Sequence, residues 1–232
     1  MENTIAVLIP CYNEELTIGK VIEDFQTYLP SATIYVYDNN SSDKTALIAS
    51  SYEEVIVRSS PIQGKGAVVR QMLKEIDANI YLMVDGDDTY SAITAKDLID
   101  GVKSGMFDMV IGDRLSGEYF NTNTRPMHGF GNRLVKRIIN KKFNGHLTDI
   151  MTGYRAFNRD IAKGFIPEND GFEVETELSI YALTHNKKVG SIVTAYNERP
   201  EGSKSKLRTI KDGIKILRFI RKKSKEYKHT KL

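Results

Sequence analysis

Ile80-Tyr81-Leu82-Met83-Val84-Asp85-Gly86-Asp87-Asp88 joins five apolar residues to a tight acidic turn. A continuous apolar run of this length, with no polar residue alternating through it, is the pattern of a strand covered on both faces. Three carboxylates crowded where such a strand stops repel one another. The turn is therefore either a solvated acidic bend or a site for a hard divalent cation, which takes oxygen ligands and bridges carboxylates to phosphates.

Outward from this stretch the same unit repeats. Residues 4–10 (Thr-Ile-Ala-Val-Leu-Ile-Pro) and 33–37 predict two further buried strands, and shorter apolar runs at 55–57 and 108–111 predict two more. Between them, apolar residues at helical spacing predict helices over 14–28, 44–52, 67–76 and 93–104. Strands alternating with helices imply an α/β fold with a mostly parallel sheet flanked by helices. Ligands of such sheets gather beyond the carboxyl ends of the strands, where the polar turns of this chain fall. Beyond Arg114 the pattern loosens. A polar stretch over 116–124, expected to be mobile, precedes helices over 128–140 and 173–185 and a strand over 189–196; 149–157 reads as a tight polar segment.

The 232 residues suit a single domain, and 41% apolar and 27% charged side chains are ordinary for a packed core. One cysteine, Cys11, rules out an internal disulfide and with it a disulfide-stapled secreted scaffold. The start of the chain lacks a basic segment followed by an apolar one, so no secretory signal is expected. No stretch reaches the ~18 uncharged apolar residues of a spanning helix. The net charge of +3 conceals an asymmetry: 13 of the 33 basic but only 3 of the 30 acidic side chains fall in 199–232. The expected organisation is a catalytic domain over 1–206 with a basic amphipathic helix or tail over 207–232.

Two other turns carry possible chemistry. Asp38-Asn39-Asn40-Ser41-Ser42-Asp43 ends the second strand; its side chains suit turn and helix-cap hydrogen bonds, and Asp38 equally suits hydrogen bonds from a nucleoside. Gly64-Lys65-Gly66 opens a helix, a phosphate-binding arrangement in principle, although the full phosphate-loop pattern is missing. The four histidines show no metal-ligand spacing, and Cys11 reads as a small packed residue.

Taken together with Ile9-Pro10-Cys11-Tyr12-Asn13-Glu14-Glu15, Gly112-Asp113-Arg114, the segment Thr148–Arg155, the segment Gly171–Glu177 and Arg199–Leu207, these motifs resemble the inverting family-2 glycosyltransferases, and within them the polyprenyl-phosphate (dolichyl-phosphate) sugar synthases. The likeness runs in order along nearly the whole chain. It implies a glycosyltransferase A-type, Rossmann-like fold and a Mg²⁺- or Mn²⁺-dependent transfer from a nucleotide-sugar donor to a polyprenyl phosphate. By the resemblance, Pro10, Tyr12, Glu14, Asp38, Lys65, Asp85 and Asp87 would serve the donor, with Asp87 and Asp85 as metal ligands. Arg114 and Arg133 would face phosphate, Asp149 would be the best base if one is needed, and Asp149 and Arg155 would line the acceptor side. Arg199, Ser205 and Lys206 would close over phosphates. Mannosyl members often carry glutamine two residues after the second aspartate; here Thr89 stands there, which favours a UDP-sugar.

A phosphate acceptor is already anionic and needs positioning and electrostatics more than a base, whereas a hydroxyl acceptor needs one. The competing reading is a soluble transferase using a hydroxyl on a cell-wall polymer, glycan or protein. In 207–232, apolar Ile214, Ile216, Leu217, Phe219 and Ile220 run beside Lys211, Lys215, Arg218, Arg221 and Lys222. This helix either lies on an anionic membrane surface or packs on the domain. The expected setting is cytoplasmic, peripheral at the inner face of the cell membrane, with a separate membrane protein as a further possible partner. Nucleic acid is not expected, because no RNA-recognition aromatic motif is present.

Overall fold

The computed structural model describes residues 4–116, 126–203, 206 and 209–230. The polar stretch expected to be mobile over 116–124 lies almost wholly outside them, as does Ser205. A seven-stranded sheet in the order β3-β2-β1-β4-β6-β5-β7 forms the frame. Its strands are β1 (Ile5–Cys11), β2 (Thr33–Asp38), β3 (Val55–Ser59), β4 (Ile80–Met83), β5 (Met109–Asp113), β6 (Arg155–Asn158) and β7 (Val189–Val193). β3, β2, β1 and β4 are all parallel, paired from Ala6↔Thr33 to Cys11↔Asp38 and from Ile5↔Ile80 to Leu8↔Met83. This is the doubly wound half expected from the alternating apolar runs.

Alternate residues of each strand enter opposite core layers. From β1, Ala6 and Leu8 face one layer while Val7, Ile9 and Cys11 face the other. The second layer is closed by α1 (Ile18–Tyr28), α2 (Thr45–Ser50) and α4 (Ala95–Lys103). The first is closed by α3 (Lys65–Glu75), α5 (Pro126–Phe143), α6 (Arg159–Gly164), α7 (Val174–Thr184) and α8 (Thr209–Thr230). Every residue of α7 from Val174 to Ile180 is buried, with α3, α5 and α8 packed against it.

Two elements depart from expectation. The segment read as polar over 149–157 contains β6, which runs antiparallel between β4 and β5. Only four residues long and with Arg155 inside it, it shows no apolar run, yet both its edges are paired. α6 follows at once, begun by Asn158, whose side-chain oxygen accepts the Ile161 N–H at 3.0 Å. The helix expected from residue 14 starts at Ile18, since Asn13 takes a left-handed φ of 53° and leaves Glu14 in the turn after β1.

The basic helix α8 packs on the domain. Ile216, Phe219 and Ile220 are buried in the first core layer, and the Tyr227 ring tilts against Phe143 at 5.5 Å between ring centroids. Among the described residues no helix is long and apolar enough to cross a membrane. Phe219→Ala should therefore cost about 3 kcal/mol of unfolding free energy in a denaturant titration. A loss below about 0.5 kcal/mol, the size of a surface substitution, would show that α8 is not part of the core.

Candidate active site

The carboxyl ends of β1, β2 and β4 meet in one acidic corner. β4 delivers Asp85 and Asp87, β1 delivers Glu14 through its turn, and β2 delivers Asp38. The corner is knitted by short polar contacts. Thr17 donates its hydroxyl to the Gly86 carbonyl at 2.7 Å, joining the first turn to the acidic turn. Gly153 backs Asp85 so closely that a Cβ there would lie 2.6 Å from its Oδ2. The Asp87 Oδ1 accepts both the N–H (3.2 Å) and the hydroxyl (2.6 Å) of Thr89. Asp88, at φ 57°, turns away and pairs with Lys20 at 3.0 Å on α1.

Buried like charges need counter-ions. Lys65 pairs with Asp85 and with Glu175 of α7, the latter at 2.5 Å. Burial lowers the Lys65 ammonium, but these two carboxylates outweigh it and hold its pKa above the usual lysine value. Arg199 pairs with Asp87 and lies 3.8 Å from Glu14; Lys206 reaches Glu14 at 2.7 Å and the Asn13 carbonyl at 2.8 Å. Burial first, then the charge of Asp85, raises the Asp87 pKa despite Arg199. Burial pushes the Glu14 carboxyl up to about 7. Two buried carboxylate oxygens in this corner, Glu14 Oε2 and Asp38 Oδ1, have no hydrogen-bond partner, an arrangement that suits an incoming donor or cation. A cavity of about 420 Å³ opens beside Glu14, lined also by Tyr12, Asn13, Asp43, Gly202 and Lys206. That volume is within the range of small-molecule sites.

Among the described residues no group of three or more His, Cys, Asp or Glu side chains is arranged to hold a metal ion. The donor set fits a hard cation completed by phosphate and water rather than one caged by protein: two carboxylates, Asp85 and Asp87, in a corner whose carboxylates outnumber its cations.

The structure brings Glu14, Asp38, Lys65, Asp85, Asp87, Arg199 and Lys206 together. It does not do so for every expected residue. Pro10 is buried within β1, opposite Tyr37. Arg133 is exposed on α5. Asp149 is fully buried, and its carboxylate takes the Arg114 side chain at 2.8 and 3.1 Å as well as the N–H groups of Arg114 and Met151. The carboxylate has no exposed oxygen and anchors Arg114 rather than facing an acceptor. Arg155 is also fully buried, donating to the carbonyls of Thr152 and Ile150 and to the Ser179 hydroxyl, and burial pulls its guanidinium down to about 10. It braces the turn before β6 and lines no acceptor surface. The Gly64-Lys65-Gly66 backbone is not free for phosphate either. The Gly64 N–H goes to Asn39 Oδ1 (2.6 Å), and those of Gly66 and Ala67 go to the Asp170 carbonyl (2.8 and 3.3 Å).

Sequence reading left Glu175 or Glu177 open as a neighbour of the corner and missed Tyr90 and Tyr196. Glu175 is the partner of Lys65, whereas the nearby Glu177 accepts backbone N–H groups of Glu168 and Asn169. Tyr90 receives the Gly153 N–H at 3.0 Å, and Arg114 lies over the rings of Tyr90 and Tyr196 at 5.9 and 5.2 Å. Alternation of Glu173, Glu175 and Glu177 was the one visible signal, and helical geometry alone could not say which points inward.

The family model for glycosyl transferase family 2 matches residues 6–165. The chain belongs to glycosyltransferase family 2. Among similar family members, Glycosyltransferase AglJ of Haloferax volcanii is 35% identical over 213 residues, 91% of this chain and 69% of that protein. A dolichyl-phosphate hexose transferase of the same organism is 27% identical over 84% of this chain and 83% of its own length. The fold is the glycosyltransferase A type. Glucosyl-3-phosphoglycerate synthase from Mycobacterium tuberculosis, crystallised with Mn²⁺, UDP and phosphoglyceric acid, superposes with a TM-score of 0.69 at 22% identity, over 85% of this chain and 72% of that one.

Asp149→Asn leaves the buried Arg114 without its counter-charge and should cost about 3–5 kcal/mol in unfolding free energy. Unchanged stability with only a fall in kcat would restore Asp149 as a base.

Proposed function

We propose that this family-2 glycosyltransferase moves a hexose, with inversion, from a UDP-sugar to a polyprenyl phosphate at the cytoplasmic membrane face. The observation that carries the reading is the corner itself: Asp85 and Asp87 at the end of β4, with Arg199 and Lys206 laid against Asp87 and Glu14. A bound Mg²⁺ or Mn²⁺, held by Asp87 and Asp85, would supply positive charge that stabilises the leaving diphosphate. UDP and Mn²⁺ accompany the superposable mycobacterial synthase, which supports that donor and that class of cofactor.

The chain's own groups then have distinct tasks. Asp38, with an unpartnered buried oxygen at the end of β2, accepts from the nucleoside. Tyr12, on the rim of the cavity, offers its ring as a stacking surface. Lys65 orients Asp85 through its double pairing with Asp85 and Glu175. Arg199 and Lys206 meet the phosphates, adding charge where the leaving group develops it. The unavailability of Asp149 for proton transfer favours an acceptor that arrives ionised. The name of the dolichyl-phosphate hexose transferase relative supports a lipid phosphate.

The same reading gives α8 a second face. Its inner side is in the core, while Lys211, Ile214, Leu217, Arg218, Arg221 and Lys225 are exposed. Cations near an anionic bilayer contribute about 1 kcal/mol each, and two exposed apolar side chains among them suit shallow insertion. We assign this outer face of α8 to the membrane that carries the acceptor.

Incubation with labelled UDP-glucose, a short water-soluble polyprenyl phosphate and Mn²⁺ should yield a lipid-linked sugar. Asp87→Asn should lower the yield by at least about 10²-fold, the loss expected on removing a main electrostatic group. Donor hydrolysis without lipid-linked product would overturn the acceptor. A product formed equally well by Asp87→Asn would overturn the role of Asp87.

A further inference from the structure

Asp87 is the most constrained carboxylate in the corner. Its Oδ1 already accepts two hydrogen bonds from Thr89, at 3.2 Å from the N–H and 2.6 Å from the hydroxyl. Its Oδ2 is taken by the Arg199 guanidinium, and the side chain as a whole is only 4% exposed. A carboxylate oxygen offers two lone-pair sites, so Oδ1 has none left and a cation must take the remaining site of Oδ2, directly beside the Arg199 guanidinium. A guanidinium and a divalent ion on one oxygen would also repel strongly at such separations. Arg199 and a metal on Asp87 therefore exclude one another.

Glu14 repeats the pattern on a smaller scale. Lys206 lies 2.7 Å from its Oε1 and Arg199 3.8 Å, while Oε2 is buried and without a partner. The two cations that would meet a donor's phosphates thus sit on the carboxylates of the same corner. Leaving Asp87 costs Arg199 a buried ion pair, which an incoming anion would replace. A nucleoside diphosphate supplies such an anion, and an aqueous divalent ion alone does not.

We propose that Arg199 is a placeholder cation: it occupies Asp87 Oδ2 until a nucleoside diphosphate draws it away, so that metal and donor bind together rather than in sequence. The inference rests on the reading that Asp87 is a metal ligand, and goes beyond it by coupling the two ligands through one side chain. Linkage makes the coupling reciprocal, so UDP tightens Mn²⁺ by the same factor by which Mn²⁺ tightens UDP. Replacing Arg199 frees Oδ2 in advance and removes part of that factor.

The test is Mn²⁺ titration of the full chain, followed by the electron paramagnetic resonance signal of free Mn²⁺, with and without UDP. In the absence of UDP, Arg199→Gln should bind Mn²⁺ about tenfold more tightly than the unmodified chain, within the usual span of coupling between sites. Its gain on adding UDP should shrink correspondingly. Arg199→Lys, which keeps the charge, should stay near the unmodified chain. Asp87→Asn should lose Mn²⁺ binding in every background. If Asp87→Asn binds Mn²⁺ normally, the metal assignment falls. If Asp87→Asn loses Mn²⁺ while Arg199→Gln binds it no more tightly than the unmodified chain, the placeholder role alone falls.

Discussion

Four carboxylates, Glu14, Asp38, Asp85 and Asp87, stand in one buried corner where three parallel strands stop, and the rest of the site is arranged around their mutual repulsion. Each is brought there by an apolar strand or by the turn following it, so the fold that makes the core also concentrates the charge. Lys65, Arg199 and Lys206 are drawn from three separate parts of the chain to balance it. Balance is incomplete: Glu14 and Asp87 both have raised pKa values, and Glu14 and Asp38 each keep an unpartnered oxygen. A site with residual negative charge and open acceptor atoms is built to receive cations and hydrogen-bond donors, which is what a metal–nucleotide complex presents.

A second buried polar system supports the first without belonging to it. The Arg114–Asp149 pair and the Arg155 fan of hydrogen bonds lie fully inside the domain and tie the turn before β6 to α7 and to the end of β5. Through Gly153, that turn presses against Asp85. Tyr90, bonded to the Gly153 N–H and packed beneath Arg114, links the two systems. Rigid support of this kind holds first-contact carboxylates in place before any ligand arrives.

The parallel half of the sheet was legible because β1, β2 and β4 are runs of apolar residues interrupted by nothing, and because polar turns follow each. The carboxylates at those turns were legible for the same reason. β6 was not, since a strand with an arginine at its first position and only four residues carries no period. Nor could the sequence separate Asp149, an acid inside a polar segment, from a solvent-facing base: its burial depends on Arg114, 35 residues away. The basic helix was legible as amphipathic, but which apolar residues it buries became clear only from α5 and α7. Ile216, Phe219 and Ile220 face inward, and Ile214 and Leu217 remain outside.

In the proposed function, the corner at the end of β4 is where a divalent cation would meet a nucleoside diphosphate. Anomalous diffraction from crystals grown with Mn²⁺ and UDP tests it most directly. A manganese peak should stand within about 2.0–2.4 Å of an Asp87 oxygen, the usual length for hard-cation coordination, with Arg199 moved onto phosphate. A manganese peak elsewhere, with UDP bound away from Asp38 and Asp87, would contradict it.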